Sequence, residues 1–256
     1  MHKIITLGLL TAITGSTFAA DLGPTRTSLG SIKVDENKPF RLEGDVGYLL
    51  NNTKSTDGTK SKKSNLTGRI LFQRQSGIWG QEVLATALST NDNNSSNNIE
   101  RYLLSGKVSH SSSSTVYQFG KLTAEKDLSS AFDYQLSATG GVGINILKDE
   151  RQSLSAEAGL GYRFSKEKVA PKDSTNELIG TLAAFYEYKI TPTVRFNQDL
   201  GYDYGQDSKT FRSRTALTTD LTTHFSAFAS YNIKDIQADL GNSRDSLLSL
   251  GVTYKY

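Results

Sequence analysis

Phe132-Asp133-Tyr134-Gln135-Leu136-Ser137-Ala138-Thr139 opens a stretch that alternates apolar and polar residues, and Val142, Ile144 and Ile146 carry the alternation onward. Lys148-Asp149-Glu150-Arg151 interrupts it. Leu154, Ala156, Ala158, Leu160, Tyr162 and Phe164 then resume against Ser153, Ser155, Glu157, Gly161 and Arg163. A period of two on both sides of a turn predicts a β-hairpin with one apolar and one polar face. Both arms exceed the usual strand of about 5–6 residues and reach the about 9–11 tilted residues that cross a bilayer. The stretch reads as the repeating unit of an all-β, transmembrane, antiparallel up-and-down β-barrel.

Working outward, twelve such runs lie near 40–51, 64–75, 79–90, 98–110, 114–126, 131–147, 151–165, 176–190, 193–205, 210–221, 224–234 and 245–256. An even number brings both ends of the barrel to one side. The connections near Gly77, Ser112, Asp149, Pro192 and Thr223 are tight. Those at 52–63, 91–97, 166–175, 206–209 and 235–244 are mostly longer and more polar, with a short one at Asp127. Short periplasmic turns and long extracellular loops would alternate in this way. Outward aromatics should form two girdles. Phe40, Phe72, Trp79, Tyr186, Tyr188, Phe196, Tyr254 and Tyr256 fall at the periplasmic level; Tyr48, Phe132, Phe164, Tyr202, Tyr204, Phe211 and Tyr231 fall at the extracellular one. The third and fifth runs are less regular. Val83, Ala85 and Ala87 compete with Leu84 and Leu88 for the outward face, so a bulge is expected there.

The composition fits. Hydrophobic residues make up 36% and charged residues 21% of the 256, which excludes a helical membrane protein but not a barrel, whose strands dilute their apolar residues. The chain has no cysteine, which removes disulfides, thiol catalysis and zinc–thiolate sites. A net charge of +3 is too small to indicate nucleic acid. Lys3, the apolar run 4–13 and Thr17-Phe18-Ala19 read as a secretory signal peptide over 1–19, cleaved after Ala19 or alternatively Ala20. Residues 20–39, broken by Gly23-Pro24 and Lys38-Pro39, read as a periplasmic tail, and 40–256 as the barrel. The terminal Ser249-Leu250-Gly251-Val252-Thr253-Tyr254-Lys255-Tyr256 resembles the signal read by the outer-membrane assembly machinery, with Gly251, Tyr254 and Tyr256 as its contacts.

Gly44-Asp45-Val46-Gly47-Tyr48-Leu49-Leu50-Asn51-Asn52-Thr53 resembles the opening strand of the YdiY-like, salt-induced outer-membrane proteins, a family of unknown function. So do Tyr117-Gln118-Phe119-Gly120-Lys121 with Glu125-Lys126-Asp127, Gly141-Val142-Gly143, and Ala158-Gly159-Leu160-Gly161-Tyr162-Arg163. Asn51 stands where the family's opening strand usually has glycine. The resemblance covers most of the chain after residue 39. It implies a barrel in the outer membrane of a Gram-negative bacterium, and no established activity.

The chemistry must then come from the interior and the loops. With apolar residues on lipid, the lining set is Arg41, Glu43, Asp45, Arg69, Asp133, Glu157, Arg163, Arg195, Asp199, Asp203, Arg212 and Arg214, together with Lys107, Glu187, Lys189 and Asp220. Such charges are either hydrated in a narrow porin-like channel for small polar or charged solutes, or paired across a closed interior. In the closed case the barrel is structural, or acts through its extracellular loops. Arg195, Arg212 and Arg214 form an anion constriction in the first reading and partner Asp199, Asp203 and Asp220 in the second. Lys54, Lys60, Lys62 and Lys63 in the first loop either contact lipopolysaccharide phosphates or are simply solvated. No catalytic residue is assigned. Three histidines are present; His2 lies in the signal peptide, and His110 and His224 at turns, so no nucleophile–base pair is visible. Asp199 and Asp203, the nearest carboxylate pair, read as lining. The asparagine-rich 91–98 offers Asp92 as its strong metal ligand, too little for calcium, and no cofactor is expected.

Overall fold

The computed structural model describes residues 40–54, 60–92, 99–128, 132–168, 174–238 and 241–256. The signal peptide and the 20–39 tail lie outside them. Twelve strands follow in order: β1 (Phe40–Lys54), β2 (Lys60–Ser76), β3 (Trp79–Asp92), β4 (Ile99–Ser111), β5 (Val116–Asp127), β6 (Phe132–Lys148), β7 (Gln152–Glu167), β8 (Ser174–Lys189), β9 (Val194–Gly205), β10 (Ser208–Asp220), β11 (Phe225–Ala238) and β12 (Gly241–Lys255). Each pairs antiparallel with its chain neighbours, and β12 closes on β1, from Glu43 opposite Lys255 to Tyr48 opposite Leu250. The expected up-and-down barrel is the one observed.

Its surface is inverted relative to a soluble protein. Leu160 and Leu178 are 77% and 78% exposed, whereas Arg101 and Lys234 are 2% exposed. An apolar outside around a charged inside is what a bilayer requires of a closed sheet.

The tight turns define one end, here the lower. There a side-chain oxygen accepts backbone amides at four successive turns. Ser113 Oγ takes the Thr115 and Val116 N–H groups, Asp149 those of Arg151 and Gln152, Thr191 those of Thr193 and Val194, and Thr222 those of His224 and Phe225. Such side-chain turns fix hairpin register locally. The remaining lower turn places Gly77 at φ 58°, a left-handed position suited to glycine. Lower aromatics meet as a girdle: Phe40 stacks with Phe72 and Tyr256 at 6.2 and 5.8 Å, and Tyr186 meets Phe196 at 6.4 Å.

Several expectations need correction. The strands run further than their alternation suggested, so Lys54 pairs with Lys60 and the basic run sits on β1 and β2 rather than in a loop. The upper connections at 206–207 and 239–240 are as short as the lower turns, so the long–short alternation is only partial. Strand β3 carries no bulge: its pairing with β2 and β4 is continuous, and Leu84 and Leu88 point inward. The register shifts lie in β6 instead, between Phe132 and Tyr134 and between Asn145 and Leu147. The first of these turns Phe132 into the interior, where it is 6% exposed, and removes it from the upper girdle.

Candidate functional site

Charged side chains of the described residues converge in the interior. Arg41, Glu43, Asp45, Arg69, Glu157, Arg163, Arg195, Asp199, Asp203, Arg212 and Arg214 all occupy inward positions of their strands. Asp133 departs from the expected lining, because the β6 register shift makes it the extra, half-buried residue of the bulge. The side chains of Lys54, Lys60, Lys62 and Lys63 lie outside what the structure describes.

In the upper half a single chain of ion pairs crosses the barrel. Arg101 holds Asp127 at 2.6 Å. Lys234 lies 3.5 Å from Asp127 and bonds Glu125. Glu125 also takes Arg212 at 3.3 Å, and Arg212 donates to Asp203 at 2.5 Å. Strands β5 and β11 stand six places apart in a ring of twelve, so the Glu125–Lys234 contact spans the lumen. Lysine reaches this far because its long stem extends from the wall. Beside it, Arg163 donates to Glu177 at 2.8 and 2.6 Å and to Ser208 Oγ at 2.6 Å. Glu177 is admitted because Gly205 lacks a side chain: a Cβ there would stand 2.2 Å from the carboxylate.

At mid-height Lys107 bonds Glu157 at 2.5 Å, and the Tyr117 hydroxyl donates to the same oxygen at 2.6 Å. The Lys107 ammonium also sits 4.2 Å from the Phe119 ring centroid, a cation–π contact. The two rings fit because the hairpin opposite them is glycine-lined. A Cβ on Gly143 would meet the Tyr117 ring at 2.1 Å, and one on Gly141 the Phe119 ring at 2.8 Å. Leu71, Leu84 and Leu103 form a buried apolar cluster on the adjoining strands β2, β3 and β4. The lower half repeats the pairing. Arg69 bonds Asp45 at 2.9 Å, Arg41 bonds Glu43, Arg195 and Lys255 share Asp220 at 2.9 and 2.5 Å, and Arg214 lies 3.9 Å from Asp199.

These contacts decide the arginine cluster. Arg195, Arg212 and Arg214 partner Asp220, Asp203 and Asp199, the paired alternative, and do not stand as a bare anion constriction. Small cavities adjoin these pairs. A cavity of about 70 Å³ lies among Lys121, Glu125, Arg163, Asp203 and Arg212, and one of about 30 Å³ among Arg41, Asp45, Arg69, Arg195 and Lys255. No residue lines both. The first has room for a few waters. Asn232 Oδ1 and Ser249 Oγ are buried without a hydrogen-bond partner among the described residues, as water-bonded groups are. Among the described residues, no group of three or more His, Asp or Glu side chains is placed to hold a metal ion.

The sequence reading missed Arg101, Glu125, Asp127 and Lys234, the core of the crossing layer, and Glu177 beside it. A signal was present: Lys121, Thr123, Glu125 and Asp127 fall two apart, which puts two acids on the inward face of β5.

A family model described as "Protein of unknown function, DUF481" matches residues 53–256. The chain belongs to this family. No curated protein matches it in sequence. Among solved structures, it is similar to the COG4313 outer membrane channel from Pseudomonas putida F1 (9% identity, 96% of this chain and 99% of that one, TM-score 0.51). It is also similar to the translocator domain of autotransporter NalP from Neisseria meningitidis (14% identity, 87% and 91%, TM-score 0.48) and to the NanC porin (9% identity, 83% and 97%, TM-score 0.48). At 9% identity the likeness to the Pseudomonas channel speaks for the barrel fold alone, which this DUF481 member shares.

Proposed function

We propose that the protein is an outer-membrane barrel forming a narrow, charge-lined passage for small polar or charged solutes, closed in this conformation by the Glu125–Lys234–Arg212 layer. The observation that carries the reading is an interior polar in both halves, with buried oxygens that lack a hydrogen-bond partner among the described residues and small cavities beside the ion pairs. A barrel with a purely structural role has no use for a hydrated interior, since well-packed apolar side chains would fill it at lower cost. In this reading the passage is transport machinery rather than an enzyme. The chain is exported by its signal peptide and assembled through Gly251, Tyr254 and Tyr256. It stands with the salt-induced, YdiY-like outer-membrane proteins, and Lys54, Lys60, Lys62 and Lys63 contact lipopolysaccharide at the upper rim.

A second reading, a closed barrel acting through its loops, draws on the burial of Lys234 and Glu125 at 2% and 6% of side-chain exposure. Single-channel recording of the refolded protein in a planar bilayer separates the two. The passage reading expects small discrete steps from the wild type and larger ones from Glu125→Ala/Lys234→Ala. Silence from both, with folded barrels, would establish the closed reading.

A further inference from the structure

The outward face of the barrel is uneven. Across β1–β6 it sinks into an apolar groove of about 890 Å³. Val46, Ile70, Leu104 and Leu136 form its exposed walls. Its floor is low because two lining positions are glycine: a Cβ added at Gly44 or Gly68 meets nothing within 4 Å.

The upper end of this groove is basic and aromatic. Tyr102, Lys126 and Tyr134 line it. Tyr102 is the register partner of Lys126, and Tyr134 that of Lys166 on β7. Tyrosine and lysine therefore alternate along the outward rim of β4–β7, above an apolar trough. Lys126 is exposed and makes no ion pair among the described residues. Lys166 donates to Ser174 Oγ at 3.1 Å. Lys168, just beyond β7, donates to the Asp127 carbonyl at 2.8 Å and adds a further ammonium group. Two carboxylates lie near: Glu100 accepts from the Tyr102 hydroxyl at 3.3 Å, and Asp133 occupies the β6 bulge.

We infer that this face binds a phosphorylated lipid of the upper leaflet, with an acyl chain in the groove and a phosphate between Lys126 and Lys166. Each half of the site specifies one half of that ligand. The trough offers dispersion contacts that wall residues alone leave unmade. Ammonium groups at an interface attract anionic headgroups, and tyrosines there keep the ring in hydrocarbon and the hydroxyl in water. A second copy of the barrel fits less well, because a two-fold contact sets the same patch against itself and would bring like charges together. The inference rests on the barrel spanning a membrane and not on its conducting.

Native mass spectrometry of the detergent-solubilised full chain tests it, with lipid A and chemically dephosphorylated lipid A as probes. Wild type should retain the phosphorylated form preferentially. Lys126→Ala/Lys166→Ala should weaken that binding about thirtyfold, the effect of two interfacial lysines, and leave the dephosphorylated form unchanged. Gly68→Leu, which fills the trough, should weaken both. Equal retention of the two probes by wild type, or no change in the lysine variant, would overturn the inference. So would a dimer abolished by Gly68→Leu, which would give the face to a second copy.

Discussion

Lys234 sits in a layer whose charges balance: Arg101, Lys234 and Arg212 face Asp127, Glu125 and Asp203. Lys234→Met leaves one carboxylate in excess in a layer where Lys234, Glu125 and Asp127 have side chains 2–6% exposed. Removing one partner of such a pair costs about 3–5 kcal/mol. The lower end applies here, about 3 kcal/mol, because Glu125 keeps Arg212 at 3.3 Å and Asp127 keeps Arg101 at 2.6 Å. Glu125→Gln should cost a similar amount by leaving a cation in excess. The double variant Lys234→Met/Glu125→Gln restores the balance, so its cost should fall short of the sum by more than about 2 kcal/mol, within the range for contacting residues. Urea unfolding of the refolded barrel in vesicles measures this, with the single tryptophan, Trp79 at the lower end, as the fluorescent probe. Additivity within about 0.5 kcal/mol would mean that the two side chains do not meet, and the crossing layer would have to be abandoned.

Gly143→Ala should destabilise the barrel by about 1–3 kcal/mol through overpacking, since the new Cβ falls 2.1 Å from the Tyr117 ring, while Gly106→Ala, with nothing within 4 Å, should be near neutral; paired urea midpoints check the contrast. Hydrogen bonds from the Gln152 and Arg151 amides hold the Asp149 carboxyl below its ordinary value. A depressed carboxyl stabilises the fold above its unfolded value and loses that contribution as pH falls through the lower folded one, so a carboxyl NMR titration should place Asp149 below the free Asp midpoint of about 3.9, and Asp149→Ala should flatten the acid limb of stability; an unshifted midpoint would refute the turn geometry. The chain lacks cysteine, so Lys62→Cys and Asp149→Cys can each be labelled alone in whole cells. The first should react from outside and the second after access to the periplasm, and the reverse would invert the topology.

The fold was legible because a membrane barrel writes itself in a period of two, and twelve alternating runs left little else to build. The inward face was legible by parity, and Arg69, Asp45, Arg163, Glu157 and Arg212 stand on that face of their strands. What parity cannot carry is reach. Glu125 and Lys234 are 109 residues apart, and their meeting follows from closure at β1–β12, not from any local pattern. Apolar residues misled for a related reason. Leu84, left between the two faces by the sequence, is 3% exposed inside, and Leu103, Phe119 and Phe185, which the lining set did not include, are 2–7% exposed there, because a barrel of this girth needs some bulk to fill its interior. Asp133 and Phe132 were misplaced by a bulge, a one-residue insertion that reverses facing without altering composition.

Whether the crossing layer stands in water or in packed protein can be decided by salt. The Debye length falls from about 10 Å at 0.1 M to about 3 Å at 1 M, and the fall weakens charges that ions can approach while sparing those they cannot. Arg244 and Asp235, 3.9 Å apart with side chains 72% and 29% exposed, belong to the first kind, and any coupling between them should vanish at high salt. Lys234 and Glu125 are 2% and 6% exposed, yet a cavity of about 70 Å³ adjoins Glu125 and Arg212. If that cavity is sealed, the Lys234–Glu125 coupling measured by the double-variant cycle should hold to within about 0.5 kcal/mol from 0.1 to 1 M. If ions enter from either mouth, the coupling should drop towards the small values of exposed pairs, about 0–1 kcal/mol, and conductance should rise with it. A coupling that persists while discrete conductance is recorded would place the ion path elsewhere than between β5 and β11, and the Glu125–Lys234 contact would then be a brace for the wall and not the gate.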